Sequence, residues 1–337
     1  MAQFIPRIAN LTFIDLFAGI GGFRTALESF GLKCVYSSEW DTHAQITYRE
    51  NFGEVPEGDI TKVNAEDIPK HNVLCAGFPC QAFSISGKQR GFADTRGTLF
   101  FDIARIAAHH KPEVLFLENV RNFARHDKGR TLRVVKETLE GLGYQVFDSV
   151  LNASHYGVPQ SRRRIYLVCF RKDLGVMEFR LPRPQYEPVK LRDFLEDDEQ
   201  TEQYVITRRE TKLGRPPPKP DIFGHYPQKP IRVGTIGNAG QGERIYSDLG
   251  HAITLSAYGG GIASKTGAYL VNGKVRKLSP RECARIMGFP DNFKIPVTDA
   301  QAYKQFGNSV VIPVLQTIFR EVIPILDRSK VLCETKS

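Results

Sequence analysis

An alternation of short apolar runs with stretches of helical spacing fills the N-terminal half of this chain, and it restricts the fold more than any single motif does. Residues 11–18 are rich in strand formers and empty into Gly19-Ile20-Gly21-Gly22. Beyond those glycines Phe23, Ala26, Leu27 and Phe30 recur at helical spacing, and Gly31 supplies a stop. Cys34-Val35-Tyr36 begins a second strand that ends at Glu39-Trp40. Residues 73–76 predict another strand, followed by a helix marked by Leu99, Phe100, Ile103, Ile106 and Ala107. Residues 114–117 repeat the pattern, with a helix through Leu132, Val135, Leu139 and Leu142. Two further strands, near 145–151 and 164–170, have no helical stretch between them and read as an antiparallel pair. Strand and helix alternating in this way predict an α/β fold, a doubly wound and mainly parallel sheet.

After Phe179 the texture changes to a charged region punctuated by Leu181-Pro182-Arg183-Pro184 and by the prolines of 214–220, so a domain boundary is expected near residue 190. Residues 231–277 hold many glycines and short β-like pieces at 252–255 and 268–271, which suits a second, smaller β-rich domain carrying loops. A well-signed helix follows: Ser279 caps, Pro280 takes the first position, Glu282 closes a capping box, and Gly288 with Pro290 ends it. A last apolar segment, 310–322, reads as a helix that packs back on the first domain. With 337 residues, 41% of them hydrophobic, the chain can bury one large core and a smaller one. Its formal charge of +9 favours a polyanionic partner, nucleic acid first. The six cysteines show no paired metal spacing, which points to a reduced, cytosolic compartment without structural zinc. Neither a secretion signal nor 18 consecutive apolar residues is present, so no membrane association is expected.

Chemistry concentrates at predicted strand exits, where open α/β sheets bind ligands. The run Val73-Leu74-Cys75-Ala76 hands over to Gly77-Phe78-Pro79-Cys80-Gln81. Pro79 cannot continue a ladder, so Cys80 reads as a loop thiol rather than a packed one. The glycine loop after the first strand lets backbone approach a ligand. Glu39, 20 residues beyond Gly19, is placed to accept from ribose hydroxyls, or is a solvated strand-end carboxylate. Trp40, the only tryptophan, stacks on an adenine or belongs to the core. The spacing Gly19-Ile20-Gly21-Gly22 differs from that of nicotinamide dinucleotide enzymes and disfavours a dehydrogenase. Arg162 and Arg164, two apart on an extended segment, point the same way.

Residues 15–24 (Asp-Leu-Phe-Ala-Gly-Ile-Gly-Gly-Phe-Arg), Pro79-Cys80-Gln81, Glu118-Asn119-Val120, Gln160-Ser161-Arg162-Arg163-Arg164, Arg281-Glu282-Cys283 and Gln305-Phe306-Gly307-Asn308-Ser309 occur in one order along the chain. In that order they resemble the bacterial DNA cytosine-5 methyltransferases. The resemblance covers essentially the whole chain and is weakest between residues 172 and 230. It implies a Rossmann-like methyltransferase fold with a target-recognition domain over 191–280, a catalytic and cofactor-binding domain over 1–190 plus 303–337, and a hinge over 281–302.

The implied cofactor is S-adenosylmethionine, held by Phe17, Gly19, Ile20, Gly22, Glu39, Trp40, Asp59, Ile60, Pro79, Leu99 and Asn308. The implied catalytic residues are Cys80, Glu118, Arg162 and Arg164. Cys80 supplies the thiolate that attacks carbon 6 of cytosine, and Glu118 neutralises ring nitrogen 3. Arg164 holds the base's carbonyl oxygen, and Arg162 supports the catalytic loop and Glu118. Ser86 and Gln241 are implied to fill the gap left by a flipped cytosine in double-stranded DNA, Arg244 to read guanine, and Tyr258 to contact DNA. The loop over 84–97, with Lys88 and Arg90, is expected to close over the base. Residues 237–246 and 254–265 are similar to a family member whose target is 5'-GCGC-3'. No metal is implied, and the enzyme is expected to act as a cytoplasmic monomer, with a cognate restriction endonuclease for the same site as a further expected partner. A non-catalytic DNA-binding protein and an RNA methyltransferase are the competing readings.

Overall fold

The structure, a computed structural model, describes residues 10–79, 99–183, 186–207, 210–214, 216, 219–237, 240–259 and 261–334. Cys80, Ser86 and the 84–97 loop with Lys88 and Arg90 lie outside the described residues. Six strands, β1 (Thr12–Leu16), β2 (Lys33–Ser38), β3 (Val73–Gly77), β4 (Val114–Val120), β5 (Tyr144–Asn152) and β6 (Arg163–Arg171), form one sheet in the order β2-β1-β3-β4-β6-β5. The first four strands run parallel, and β6 lies antiparallel to both β4 and β5. The expected antiparallel pair is present. Because β6 also pairs antiparallel with β4, the sheet is mixed, with three of its five pairings parallel and β6 alone reversed.

The helices are α1 (Gly22–Glu28), α2 (Thr42–Phe52), α3 (Leu99–His110), α4 (Arg130–Gly141), α5 (Asp198–Thr201), α6 (Pro280–Met287), α7 (Asp299–Asn308) and α8 (Ile312–Glu334). Alternate strand residues face opposite sides of the sheet. Phe13, Cys75, Phe116 and Val168 pack on one side with α1 and α8, while Ile14, Leu74, Leu115 and Leu167 pack on the other with α3 and α4. This is the three-layer arrangement that a sheet buried on both faces requires. α8 packs back as expected, its Phe319 ring 5.9 Å from Phe30 and 6.3 Å from Phe116. The stretch Asp299–Arg328 is apolar and long enough to cross a bilayer, but Val314, Leu315, Ile318 and Val322 within it are buried in this core.

α2 has no counterpart among the predicted elements. Only Ala44, Thr47 and Tyr48 of its side chains are buried, too few to write a helical stripe, and the helix starts because the Asp41 side chain accepts from the His43 and Ala44 amides. α6 forms as its signals require: Ser279 accepts from the Glu282 amide, Glu282 accepts from the Ser279 amide, and Gly288 closes the helix at φ 83°. The 281–302 span, expected as a hinge, holds most of α6 and the start of α7, and Cys283, Ala284, Ile286 and Met287 are fully buried in the main core.

A second sheet, order β11-β10-β9-β8-β7, is drawn from β7 (Thr211–Leu213), β8 (Arg232–Ile236), β9 (Arg244–Ser247), β10 (Ala268–Val271) and β11 (Lys274–Lys277). Val233, Ile236, Ile245, Ala268 and Val275 give it a small core of its own. On β10 the alternate residues Tyr269 and Val271 instead belong to the main core. Arg276 on β11 donates to both carboxylate oxygens of Glu282 at 2.8 Å, tying this sheet to α6 through a fully buried ion pair.

Candidate active site

The register aligns the strand exits along one edge of the first sheet: Leu16 lies beside Ser38 and Ala76, and Gly77 beside Glu118. The chain leaves β1 for β2 on one side and reaches β3 on the other, which creates the switch point where such sheets hold ligands. A cavity of about 630 Å³ opens there. Phe17, Gly19, Ile20, Gly22, Glu39, Trp40, Asp59, Ile60, Pro79, Leu99 and Asn308 line it, and so do Glu118, Arg162, Arg164 and Tyr258.

The glycine loop turns sharply, with Phe17 at φ 57°, Gly19 at 57° and Gly21 at 82°. For a phenylalanine that conformation costs roughly 1–2 kcal/mol, strain that concentrates at ligand sites. A Cβ on Gly21 would collide with the Phe52 ring, and one on Gly22 would stand 2.6 Å from Val310 Cγ2, so α2 and the segment before α8 hold the loop against the cavity. Glu39 is buried behind it. Its Oε2 accepts from the Gly19 amide and its Oε1 from the Asp41 amide, both at 2.8 Å. Burial raises its pKa, and these two amides oppose that rise only in part. Trp40 is 73% exposed, which excludes the core alternative and leaves its ring at the cavity mouth. Asp59 caps the turn Ile60–Lys62, and hydrogen bonds from the Thr61 hydroxyl and amide keep its carboxyl below the ordinary range.

At the other end of the cavity, Glu118 occupies the exit of β4 and Arg164 enters from the antiparallel β6, paired with Val120 in the register. Arg164 Nε lies 3.1 Å from Glu118 Oε1, an ion contact without the alignment of a hydrogen bond. Burial raises the Glu118 pKa, and the charges of Arg164 and Arg162 only partly oppose it. The Asn119 amide donates to the Phe78 carbonyl at 2.9 Å and so fixes the exit of β3, two residues before Cys80.

Arg162 acts on Glu118 through its charge, and its hydrogen bonds go elsewhere. It is 2% exposed and donates to the carbonyls of Leu255 (3.1 Å), Gly307 (2.9 Å) and Ser309 (2.7 Å), joining β6 to two other chain segments. The same joint includes Gln160 beside Ala252, with amides exchanged between 159–161 and 252. Arg244 lies outside the cavity at the start of β9, its Nε buried without a partner among the described residues. Gln241 opens the turn Gln241–Glu243. The glycine-bearing loops meet here, since the Ala263 amide donates to the Gly242 carbonyl and a Cβ on Gly242 would touch Gly261. Sequence reasoning missed Asp41 and Lys304, which face the cavity and pair at 2.6 Å between α2 and α7. No local pattern marks either residue.

The chain matches the model of the family described as C-5 cytosine-specific DNA methylase over residues 11–324. It is 59% identical to the Type II methyltransferase M.HhaI of Haemophilus parahaemolyticus over 312 residues, 93% of this chain and 94% of the relative. It is 47% identical to M.HpaII of Haemophilus parainfluenzae, covering 93% and 89% of the two chains. Among solved structures, the Dnmt2 methyltransferase of S. pombe superposes with a TM-score of 0.70 at 19% identity over 94% and 99% of the two chains, a likeness of fold. A family match from the first strand into α8, carried by a cavity that unites the glycine loop with Glu118 and Arg164, makes this chain a member of the C-5 cytosine-specific DNA methylases, a DNA cytosine-5 methyltransferase of the type II kind.

Proposed function

We propose that the enzyme methylates carbon 5 of a cytosine flipped out of duplex DNA, within the target 5'-GCGC-3', using S-adenosylmethionine. The observation that carries this reading is the single cavity lined by both the glycine loop with Glu39 and the pair Glu118–Arg164. The cofactor half fits a nucleoside: a buried carboxylate already oriented by two amides, an exposed indole beside it, and a glycine backbone with no side chain in the way. Phe17, Gly19, Ile20, Gly22, Trp40, Asp59, Ile60, Pro79, Leu99 and Asn308 complete that half. Bound there, S-adenosylmethionine supplies an electrophilic methyl group.

Carbon 5 of cytosine is too weak a nucleophile until carbon 6 is attacked. The Cys80 sulfur forms a bond to carbon 6, and the ring's electron pair shifts toward carbon 5 and nitrogen 3. Glu118, which burial favours in its protonated form, donates a hydrogen bond to nitrogen 3. Arg164 holds Glu118 in place and donates to the base's carbonyl oxygen. Once carbon 5 carries the methyl group it loses its proton to solvent water, the C–H pair re-forms the 5,6 double bond, and the Cys80 sulfur departs with its bonding pair, restoring the aromatic ring. Arg162 fixes the surrounding segments without touching the base.

Ser86, Gln241, Arg244 and Tyr258 form the DNA-facing set, and 191–280 acts as the recognition domain beside a catalytic part of 1–190 and 303–337 joined through 281–302. The GCGC target is supported by the 59% identity to M.HhaI. A monomer in the bacterial cytoplasm, needing no metal and accompanied by an endonuclease for the same site, completes the reading. Bisulfite sequencing of DNA from cells expressing the chain tests it: one cytosine of each GCGC should resist conversion. Methylation confined to other sequences would overturn the target, and none at all would overturn the activity.

A further inference from the structure

Arg121, Arg125, Lys128, Arg130, Arg133 and Lys136 fall within residues 121–136 against the single acid Asp127, a local net charge of +5 in a chain whose net charge is +9. Asp127 pairs with Arg130 at 2.5 Å and Asp148 with Lys136 at 2.8 Å. That leaves Arg121, Arg125, Lys128 and Arg133 exposed and, among the described residues, without an acidic partner. Such a concentration of unpaired like charge opposes itself unless an anion neutralises it.

The segment Arg121–Gly129 begins where β4 ends, directly after Glu118, Asn119 and Val120 on the cavity wall. Three peptide units separate Arg121 from Glu118, at most about 11 Å of chain. Phe123 is buried edge-on against Phe78 with ring centres 5.4 Å apart, which fixes the basic segment to the same strand exit that leads into Cys80. An extruded nucleotide stays bonded to the phosphates on both sides of it, so a base lodged at Glu118 brings its own backbone to this surface.

We infer that Arg121, Arg125, Lys128 and Arg133 form a sequence-independent phosphate track for the DNA strand flanking the extruded cytosine. The inference rests on Glu118 being the group that meets the base. Phosphate contacts add affinity that falls with salt and carry no sequence information.

The test compares two triple variants of the full-length enzyme: Arg121→Gln, Arg125→Gln and Arg133→Gln together, and Lys33→Gln, Lys70→Gln and Lys111→Gln at the opposite edge of the sheet. DNA dissociation constants are measured by fluorescence anisotropy between about 50 and 200 mM KCl, on duplexes with and without GCGC, where each phosphate contact contributes about 0.9 to the log–log salt slope. The arginine triple should lower that slope by about 2 to 3 on both duplexes and weaken binding most at low salt, with kcat at saturating DNA within about twofold of wild type. The lysine triple should leave the slope unchanged. Equal slopes in the two triples, or a fall in kcat with DNA affinity intact, would overturn the track. Transfer lost in Glu118→Ala tests the active-site reading separately, because that variant keeps all the arginines.

Discussion

Glu118 is the residue whose protonation state the chemistry depends on, and its surroundings work in opposite directions. Burial favours the neutral acid while Arg164, 3.1 Å away, favours the carboxylate, with burial the larger effect. If the neutral acid donates to ring nitrogen 3, the rate must fall as pH rises through the raised pKa, because the donor is then lost. Glu118→Ala should lower kcat by about two to four orders of magnitude, the usual contribution of a positioned proton donor. Glu118→Gln keeps an N–H donor but cannot titrate, so it should recover part of that loss and flatten the alkaline limb. Single-turnover methyl transfer across pH measures both effects, and an unchanged alkaline limb in the Gln variant would assign that limb to another group. Glu118 could be singled out from sequence because a strand exit, an apolar run and a motif coincide at one residue. Its raised pKa could not, since it depends on β6 arriving antiparallel with Arg164 in register.

Between elements, the most consequential joint runs through Arg162. One guanidinium binds carbonyls of Leu255, Gly307 and Ser309, so the turn carrying Asn308 and the segment leading to Tyr258 are held to the start of β6. Gly307 is packed so closely that a Cβ would stand 2.5 Å from the Ser256 carbonyl carbon and collide with the Ala257 amide. Arg162→Met should leave three buried carbonyls unpaired and cost roughly 2–5 kcal/mol, while Gly307→Ala pries the same joint without removing a charge. Both variants should raise KM for DNA and for cofactor together, because one joint serves both. Steady-state kinetics with each substrate varied decides it, and an unchanged KM for DNA in Gly307→Ala would show that the segments are independent. Such a joint is invisible to periodicity, which reads contacts along one element. It links residues roughly 90 and 145 positions apart that no local rule connects. The strands were legible because each alternates two buried faces, and α6 because its caps are local. α2 was hidden because its burial is slight, and the antiparallel β4–β6 pairing because register is a property of the assembled sheet.

For the molecule as a whole, the cost of burying ionisable groups within the fold sets how stability responds to pH. Asp15 lies in β1 on the face covered by α1, fully buried, and among the described residues neither of its oxygens accepts a well-formed hydrogen bond. Burial pushes its pKa up to about 8, against the pull of Arg24. His71 and His251 are buried too and are pushed down to about 4. The signs differ. Between pH 4 and 6.5 the unfolded chain protonates both histidines while the fold does not, so they contribute stability that grows as pH rises. From about pH 4 to 8 Asp15 is ionised only in the unfolded chain, so its contribution falls as pH rises, by about 1.4 kcal/mol per pH unit. Above pH 6.5 the histidines no longer change, and the Asp15 decline stands alone among these three groups. Asp15→Asn removes it. The stability of that variant relative to wild type, from urea unfolding at each pH, should therefore improve by up to about 4 kcal/mol between pH 5 and 8 and level off beyond, whereas parallel pH profiles would show that Asp15 is ionised within the fold.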